Sequence, residues 1–258
     1  MNIEIGQGVS MPLLGFGTWE MRGKTAEEAV ANALEVGYRH IDTARMYRNE
    51  AEVGRALAAS GLARGDVFVT TKMWPDRAGS ERASIEESLQ ALGLEHVDLW
   101  LIHWPPGGAR PDVWQRFVEA QADGLARAVG VSNYSVRQLD ELHEATGQMP
   151  SVNQVEWGPA LYDADTLEEH RRRGVQLEGY SPLKTTDLRN RTLGAIAESH
   201  GVTPAQVVIR WHLEHDVVVI PKSANPKRIA ENADVFAFAL TADEVAALDE
   251  LGSGARRD

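Results

Sequence analysis

Repeatedly along this chain an apolar, strand-like run stops on a polar or charged side chain. Ile41 leads to Asp42, residues 68–71 to Lys72, and residues 99–102 to His103. Further on, residues 129–131 lead to Ser132 and Asn133, and Val152 leads to Asn153 and Gln154. Residues 177–179 lead to Tyr180 and Ser181, and residues 217–220 to Pro221, Lys222 and Ser223. A helix-like amphipathic stretch separates each run from the next. If the runs are parallel strands, their polar ends share one face and converge on a common space, which is how such a sheet builds a site.

The alternation covers the chain. Residues 3–5 and 9–11 flank Gly6, Gln7 and Gly8 as a small hairpin. Core strands are expected at 13–18, in a short run ending at Asp42, and at 67–72, 97–104, 128–133, 151–157, 175–180 and 217–222. A helix is expected over 25–36, where Ala26, Ala29, Val30, Ala33 and Leu34 follow a 3.6 period before Gly37. The next helix is expected to start on Asn49 as N-cap and end before Gly61, with others at 80–92, 112–122, 135–145, 165–173, 193–200 and 204–215. Asn225 and Pro226 open a further helix, and a last one spans 242–251. Eight strand–helix units match a closed (β/α)8 TIM barrel with an N-terminal β-hairpin and an extra C-terminal helix. A doubly wound sheet would carry Gly-x-Gly-x-x-Gly after its first strand, and Gly15-Phe16-Gly17-Thr18-Trp19-Glu20 lacks the third glycine. Uniform composition without a linker makes residues 1–258 one expected domain.

A formal charge of -12 argues against nucleic acid and anionic membrane surfaces as partners. The absence of cysteine excludes disulfides, thiolate metal sites and a cysteine nucleophile. It also fits a reducing, cytoplasmic location. No secretory signal and no membrane-length apolar stretch are visible.

In a barrel, Asp42, Lys72 and His103 end three neighbouring strands, and Tyr47 lies on the loop just past Asp42. A phenol ordinarily titrates near pH ~10, too high for proton exchange at neutral pH. A lysine cation ~4 Å away, at an effective dielectric of ~20, is worth about 4 kcal/mol to the phenolate, so Lys72 is expected to bring Tyr47 down. Asp42 would keep Lys72 charged, and His103 could donate to a substrate oxygen. Taken singly, these read as a structural ion pair and a core histidine. At adjacent strand ends beside Tyr47 they read as a tyrosine acid next to a polarised carbonyl. No serine or lysine nucleophile with a base partner stands out, so a bound cofactor is expected. Ser132, Asn133 and Gln154 suit a carboxamide, and Tyr180 offers a flat face. Lys222, Ser223 and Arg228 at the helix N-terminus capped by Asn225 suit a phosphate.

Gly37 to Ala44, continuing through Tyr47, Asn49, Glu50, Val53 and Gly54, resembles the aldo-keto reductase signature. Gly130 to Asn133, Ile220 to Ser223 and Arg228 to Asn232 resemble that family too, and the likeness covers nearly the whole chain. It looks most like the compact bacterial branch that includes the diketogluconate reductases. The resemblance implies an NADP-dependent carbonyl reductase in which Tyr47 is the proton donor, Lys72 and Asp42 its activators, and His103 the orienting residue. It implies that Ser132, Asn133 and Gln154 hold the nicotinamide amide with Tyr180 stacked on the ring. Lys222, Ser223 and Arg228 would take the 2′-phosphate, favouring NADPH, and Glu231 and Asn232 the adenine. Thr18, Trp19, Asp42, Ser181 and Leu183 complete the implied cofactor contacts.

Trp19, Trp74 and Trp104 fall just past strand ends and are expected to wall a small-molecule carbonyl site with Tyr47 and His103. Trp100 and Trp211 read as core. His212 and His215 lack the carboxylate pattern of a metal site, so no metal is expected. Arg171, Arg172 and Arg173 read as a solvated helix end. Short segments at 105–111 and 184–191, the latter with Asp187 and Arg189, and a tail stopping at Asp258 imply an open pocket with looser cofactor cover. A monomer is expected. The rival readings are a non-catalytic nicotinamide-cofactor sensor docking a protein partner, and a barrel isomerase or lyase acting through a Lys72 Schiff base.

Overall fold

The computed structural model describes residues 1–253, so the tail at 254–258 lies outside the described residues. Its hairpin pairs β1 (Asn2–Glu4) with β2 (Ser10–Pro12) antiparallel, and Gly6, Gln7 and Gly8 all turn through positive φ. Met11, Ile5 and Val9 are buried from this hairpin, which lies against the N-terminal ends of the main strands.

The main sheet is parallel throughout and holds β3 (Phe16–Gly17), β4 (His40–Asp42), β5 (Phe68–Met73), β6 (Val97–Ile102), β7 (Ala126–Ser132), β8 (Val152–Glu156), β9 (Gln176–Tyr180) and β10 (Val218–Val219) in sequential order. It closes on itself. Leu14 bridges Val219 in parallel, and the Gly15 and Gly17 amides donate to the Val219 and Pro221 carbonyls at 2.9 and 3.1 Å. The expected (β/α)8 barrel is therefore the observed one.

The two strands at the seam are much shorter than the expected 13–18 and 217–222. Pro221 has no N–H to give the ladder, so β10 stops early. Gly15 and Gly17 sit where the seam is tightest: a Cβ on Gly15 would lie 2.4 Å from His40 Nδ1, and one on Gly17 2.9 Å from the Ile220 carbonyl. With no side chain to pack, this stretch forms only a two-residue ladder.

The outer layer is α1 (Gly23–Glu35), α2 (Glu50–Ala59), α3 (Glu81–Leu92), α4 (Pro111–Ala122), α5 (Val136–Thr146), α6 (Ala164–Arg172), α7 (Arg191–His200), α8 (Pro204–Glu214), α9 (Pro226–Ala233) and α10 (Ala242–Ser253). Most of these helices bury an apolar stripe against the strands or a neighbouring helix, α10 packs on the 3-10 turn Pro159–Leu161 and on α7, and Trp100 on β6 stacks on Phe117 of α4 with ring centroids 3.6 Å apart. Trp100 and Trp211 are core residues, as expected. His212 is buried with its ring on the Val208 and Trp157 carbonyls, and His215 pairs with Asp249.

Two expectations fail in detail. Asn49 occupies the N-cap position of α2 without a capping hydrogen bond, because its side chain is used elsewhere. The Arg171–Arg173 run is not simply solvated: Arg173 grips both oxygens of Asp140 on α5 at 2.6 and 2.8 Å.

Gly54 explains why its part of the chain tolerates no side chain. A Cβ there would lie 2.3 Å from the Leu92 carbonyl oxygen at the end of α3. The Gly54→Ala variant is expected to lose about 1–3 kcal/mol by overpacking, read as a lower urea midpoint at unchanged m-value.

Candidate active site

The C-terminal ends of the strands open into a cavity of about 350 Å³, lined at its base by Asp42, Tyr47, His103, Gln154 and Tyr180. Lys72 lies beneath, fully buried on β5. Its ammonium donates to both oxygens of Asp42 at 2.6 and 2.7 Å and to the Thr43 carbonyl at 3.0 Å. It stands 3.4 Å from the Tyr47 hydroxyl. Burial lowers the affinity of such an ammonium for its proton, yet the Asp42 carboxylate holds Lys72 above its ordinary pKa. Burial in turn lifts Asp42, against the pull of Lys72 and of the Gln154 amide donating to it at 2.9 Å.

Tyr47 corrects the electrostatic expectation. Its pKa lies above the ordinary phenol value, not below it: burial raises it first, Lys72 lowers it, and Asp42 raises it again. The carboxylate bonded directly to the ammonium cancels much of the field that a bare lysine would apply. The phenol thus stays protonated through the physiological range.

Tyr47 sits in a short 3-10 turn, Arg45–Tyr47, which ends on Arg48 in the left-handed region at φ 56°. The turn is anchored by Asn49, whose amide donates to the Thr18 and Met21 carbonyls at 2.9 and 3.0 Å and whose oxygen accepts from Thr43 at 2.7 Å. That network ties the β3–α1 loop to the β4–α2 loop, which explains why Asn49 does not cap its helix. Its result is Trp19 packed on Tyr47, with ring centroids 4.8 Å apart.

His103 stands edge-on between Tyr47 and Trp74, at 5.7 and 5.2 Å. Burial first and Lys72 second push it down to about 3, so the ring is neutral and carries one N–H. Its Nδ1 is buried without a protein partner. Trp19, Trp74 and Trp104 all line the cavity, with Trp19 and Trp104 about two-fifths exposed at its mouth.

The remaining side chains fall into three groups. Ser132 donates to the Gln154 carbonyl at 2.8 Å, and Asn133 donates to Ser132 and to the His103 carbonyl and accepts from Tyr180 at 2.9 Å. This wired cluster lines the cavity beside Ser181 and Leu183. Thr18 does not join it: the residue is fully buried and its hydroxyl donates to the Asp42 carbonyl. Lys222 lines the cavity, whereas Ser223, Arg228, Glu231 and Asn232 lie beyond it around the start of α9. There the Asn225 side chain accepts from the Lys227 and Arg228 amides, as expected. Lys227 pairs with Glu231 at 3.6 Å, while Arg228 forms no ion pair among the described residues.

Sequence reasoning missed Glu20. It reaches Lys184 at 3.8 Å and Lys222 at 4.0 Å along the cavity rim, so the two loops meet through one acid. Asp187 and Arg189, in the short segment where looser cofactor cover is expected, pair with each other at the surface. Its place directly after Trp19, just past the first core strand, was the available signal for Glu20.

Residues 13–253 match the sequence model of the aldo/keto reductase family. The morphine 6-dehydrogenase of Pseudomonas putida is 43% identical, over 98% of this chain and 92% of that protein. The glyoxal reductase of Bacillus subtilis is 42% identical, over 98% and 94%. A crystal structure of an aldo/keto reductase from Brucella melitensis superposes with a TM-score of 0.94 at 38% identity, covering 97% of this chain and 99% of that one. The chain belongs to the aldo/keto reductase family.

Proposed function

We propose that this protein reduces small aldehydes and ketones to alcohols with NADPH, using Tyr47 as the proton donor. The observation that carries the reading is the Lys72 ammonium, locked on Asp42 and 3.4 Å from the Tyr47 hydroxyl at the floor of an aromatic-walled cavity. The residues present suit the cofactor. Gln154 and Asn133 offer amide partners for a carboxamide, the half-buried Tyr180 ring closes one side, and Lys222 continues the lining toward the capped start of α9. Arg228 there, which forms no ion pair among the described residues, is suited with Ser223 to a 2′-phosphate, and Glu231 and Asn232 lie on the same helix for the adenine.

Bound NADPH supplies a hydride to the carbonyl carbon. The protein does the rest. His103, held neutral, donates its N–H to the carbonyl oxygen and aims it at Tyr47. Negative charge growing on that oxygen draws the phenol proton, and Lys72 steadies the phenolate left behind. Trp19, Trp74 and Trp104 exclude water from the reacting atoms, strengthening each of these interactions. We further propose a cytoplasmic location, which a chain without cysteine suits, and a monomer; no described helix is long and apolar enough to cross a membrane. The named activities of its relatives lend no support to a sensor role.

Tyr47→Phe is expected to abolish turnover with NADPH affinity nearly unchanged, measured by fluorescence titration beside an aldehyde assay; full activity would remove the phenol from the mechanism. Arg228→Ala should weaken NADPH far more than NADH, and an equal loss for both would put the 2′-phosphate elsewhere. Lys72→Met leaves Asp42 buried without a counter-ion, which is expected to cost about 3–5 kcal/mol of stability at neutral pH. A carboxyl whose folded pKa lies above its unfolded one destabilises the fold only above the unfolded value. The deficit should therefore shrink as pH falls toward ~4, seen in urea melts at several pH values.

A further inference from the structure

One buried acid lies beneath the reacting layer and has no part in the chemistry above. Glu178 sits on β9, two residues before Tyr180, so the two side chains share the inner face one pleat apart. It is fully buried, neither carboxyl oxygen makes a well-formed hydrogen bond among the described residues, and the Gln154 amide beside it, already given to Asp42, is the polar group that favours its charge. His40 occupies the corresponding place on β4, two residues before Asp42, with its Nε2 3.9 Å from Glu178 and 3.1 Å from the Thr70 hydroxyl. Thr70 stands two residues before Lys72 on β5. A second layer of His40, Thr70 and Glu178 thus underlies Asp42, Lys72 and Tyr180.

The groups facing Glu178 can be counted by strand. From β4 come His40 and Asp42, from β5 Lys72, and from β8 the Gln154 amide, while β10 offers the apolar Val218. His40 cannot serve as a counter-ion: burial and Lys72 push it down to about 3, so it is neutral. The one cation within reach among the described residues, Lys72, is already bonded to Asp42 through both carboxylate oxygens. A charge on Glu178 would be a second carboxylate competing for one ammonium.

We infer that Glu178 is a positioning residue for proton donation: while its carboxyl is protonated Lys72 answers to Asp42 alone, and its ionisation draws the ammonium's field away from Tyr47. The energetics agree in direction. Burial first, then Asp42, push Glu178 up to about 8, and its charge raises the Tyr47 pKa. A phenol harder to deprotonate is a poorer acid. Because Tyr47 itself titrates above the ordinary phenol value, its own ionisation does not fall in the same range.

This inference rests on the reductase reading, and its test separates the two. Reduction of 4-nitrobenzaldehyde by NADPH is followed from pH 6.5 to 9, each protein normalised to its own rate at pH 6.5. Wild type is expected to fall about tenfold from pH 7 to 9, as a single ionisation near 8 dictates, and Glu178→Gln less than about threefold. Parallel profiles overturn the proposal. A protein that turns over nothing sinks the reductase reading, and two measurements then still decide this one. Infrared spectra of the wild type should show a protonated-carboxyl band at pH 6.5 that is lost by pH 9.5 and is missing from Glu178→Gln. Ultraviolet titration, referenced to Tyr47→Phe, should find the Tyr47 phenolate at lower pH in Glu178→Gln than in wild type. A missing band or an unmoved phenol rejects the role.

Discussion

A single buried ion pair organises this molecule. Lys72 and Asp42 are both shut away from water, a situation that costs several kcal/mol per ion unless every polar contact is met. Here they are met: the three ammonium protons reach two carboxylate oxygens and the Thr43 carbonyl, and Gln154 adds a donor to Asp42 from across the barrel. The pair therefore bonds β4 to β5 and β8 at the one level where the barrel interior changes from packing to chemistry. It is weak as a source of stability and strong as a constraint on geometry, because any strand shift would strand a charge in an apolar core.

The loops above inherit that constraint. Asp42 offers its backbone carbonyl to both the amide and the hydroxyl of Thr18, and Thr43 fixes Asn49. Asn49 then fixes the carbonyls of Thr18 and Met21. The path runs from the ion pair through three uncharged side chains to Trp19 and Tyr47, whose rings touch. Loops carrying reactive groups are ordinarily the mobile part of a barrel. These two are braced against each other by fully buried hydrogen bonds, each expensive to break in the absence of water.

Most of this was legible in the sequence because parallel barrels write it plainly. Strand ends are marked by the change from apolar to polar, and Asp42, Lys72, His103 and Gln154 each stand at one. Amphipathic stretches with their caps and stops located α1 through α8 and α10 to within a few residues, and Asn225 with Pro226 marked the start of α9. What the sequence hid is of two kinds. The seam strands looked long because residues 217–220 are apolar, but pairing depends on backbone amides, which Pro221 lacks. The electrostatics of Tyr47 could not be read from spacing, since the sign depended first on how deeply the phenol is buried and then on how closely Asp42 shields Lys72. Asn49 shows the same limit: its residue type suits an N-cap, yet three partners from distant segments outbid the local one.

The cavity divides by charge. On the side of Tyr47 and His103 the walls are Trp19, Met46, Trp74 and Trp104, the histidine is neutral, and the ion pair below is already compensated. On the far side Glu20, Lys184 and Lys222 gather at the rim. A charged group carried by a substrate into the aromatic half would lose its water and gain no partner, a cost of several kcal/mol. On the reading proposed above, an uncharged carbonyl compound would lose little there, and its oxygen would still meet two donors. On that reading the arrangement would select by desolvation at one end and by ionic contact at the other. A molecule bridging the two would then present an apolar reacting end to the tryptophans and keep its charges toward the lysines.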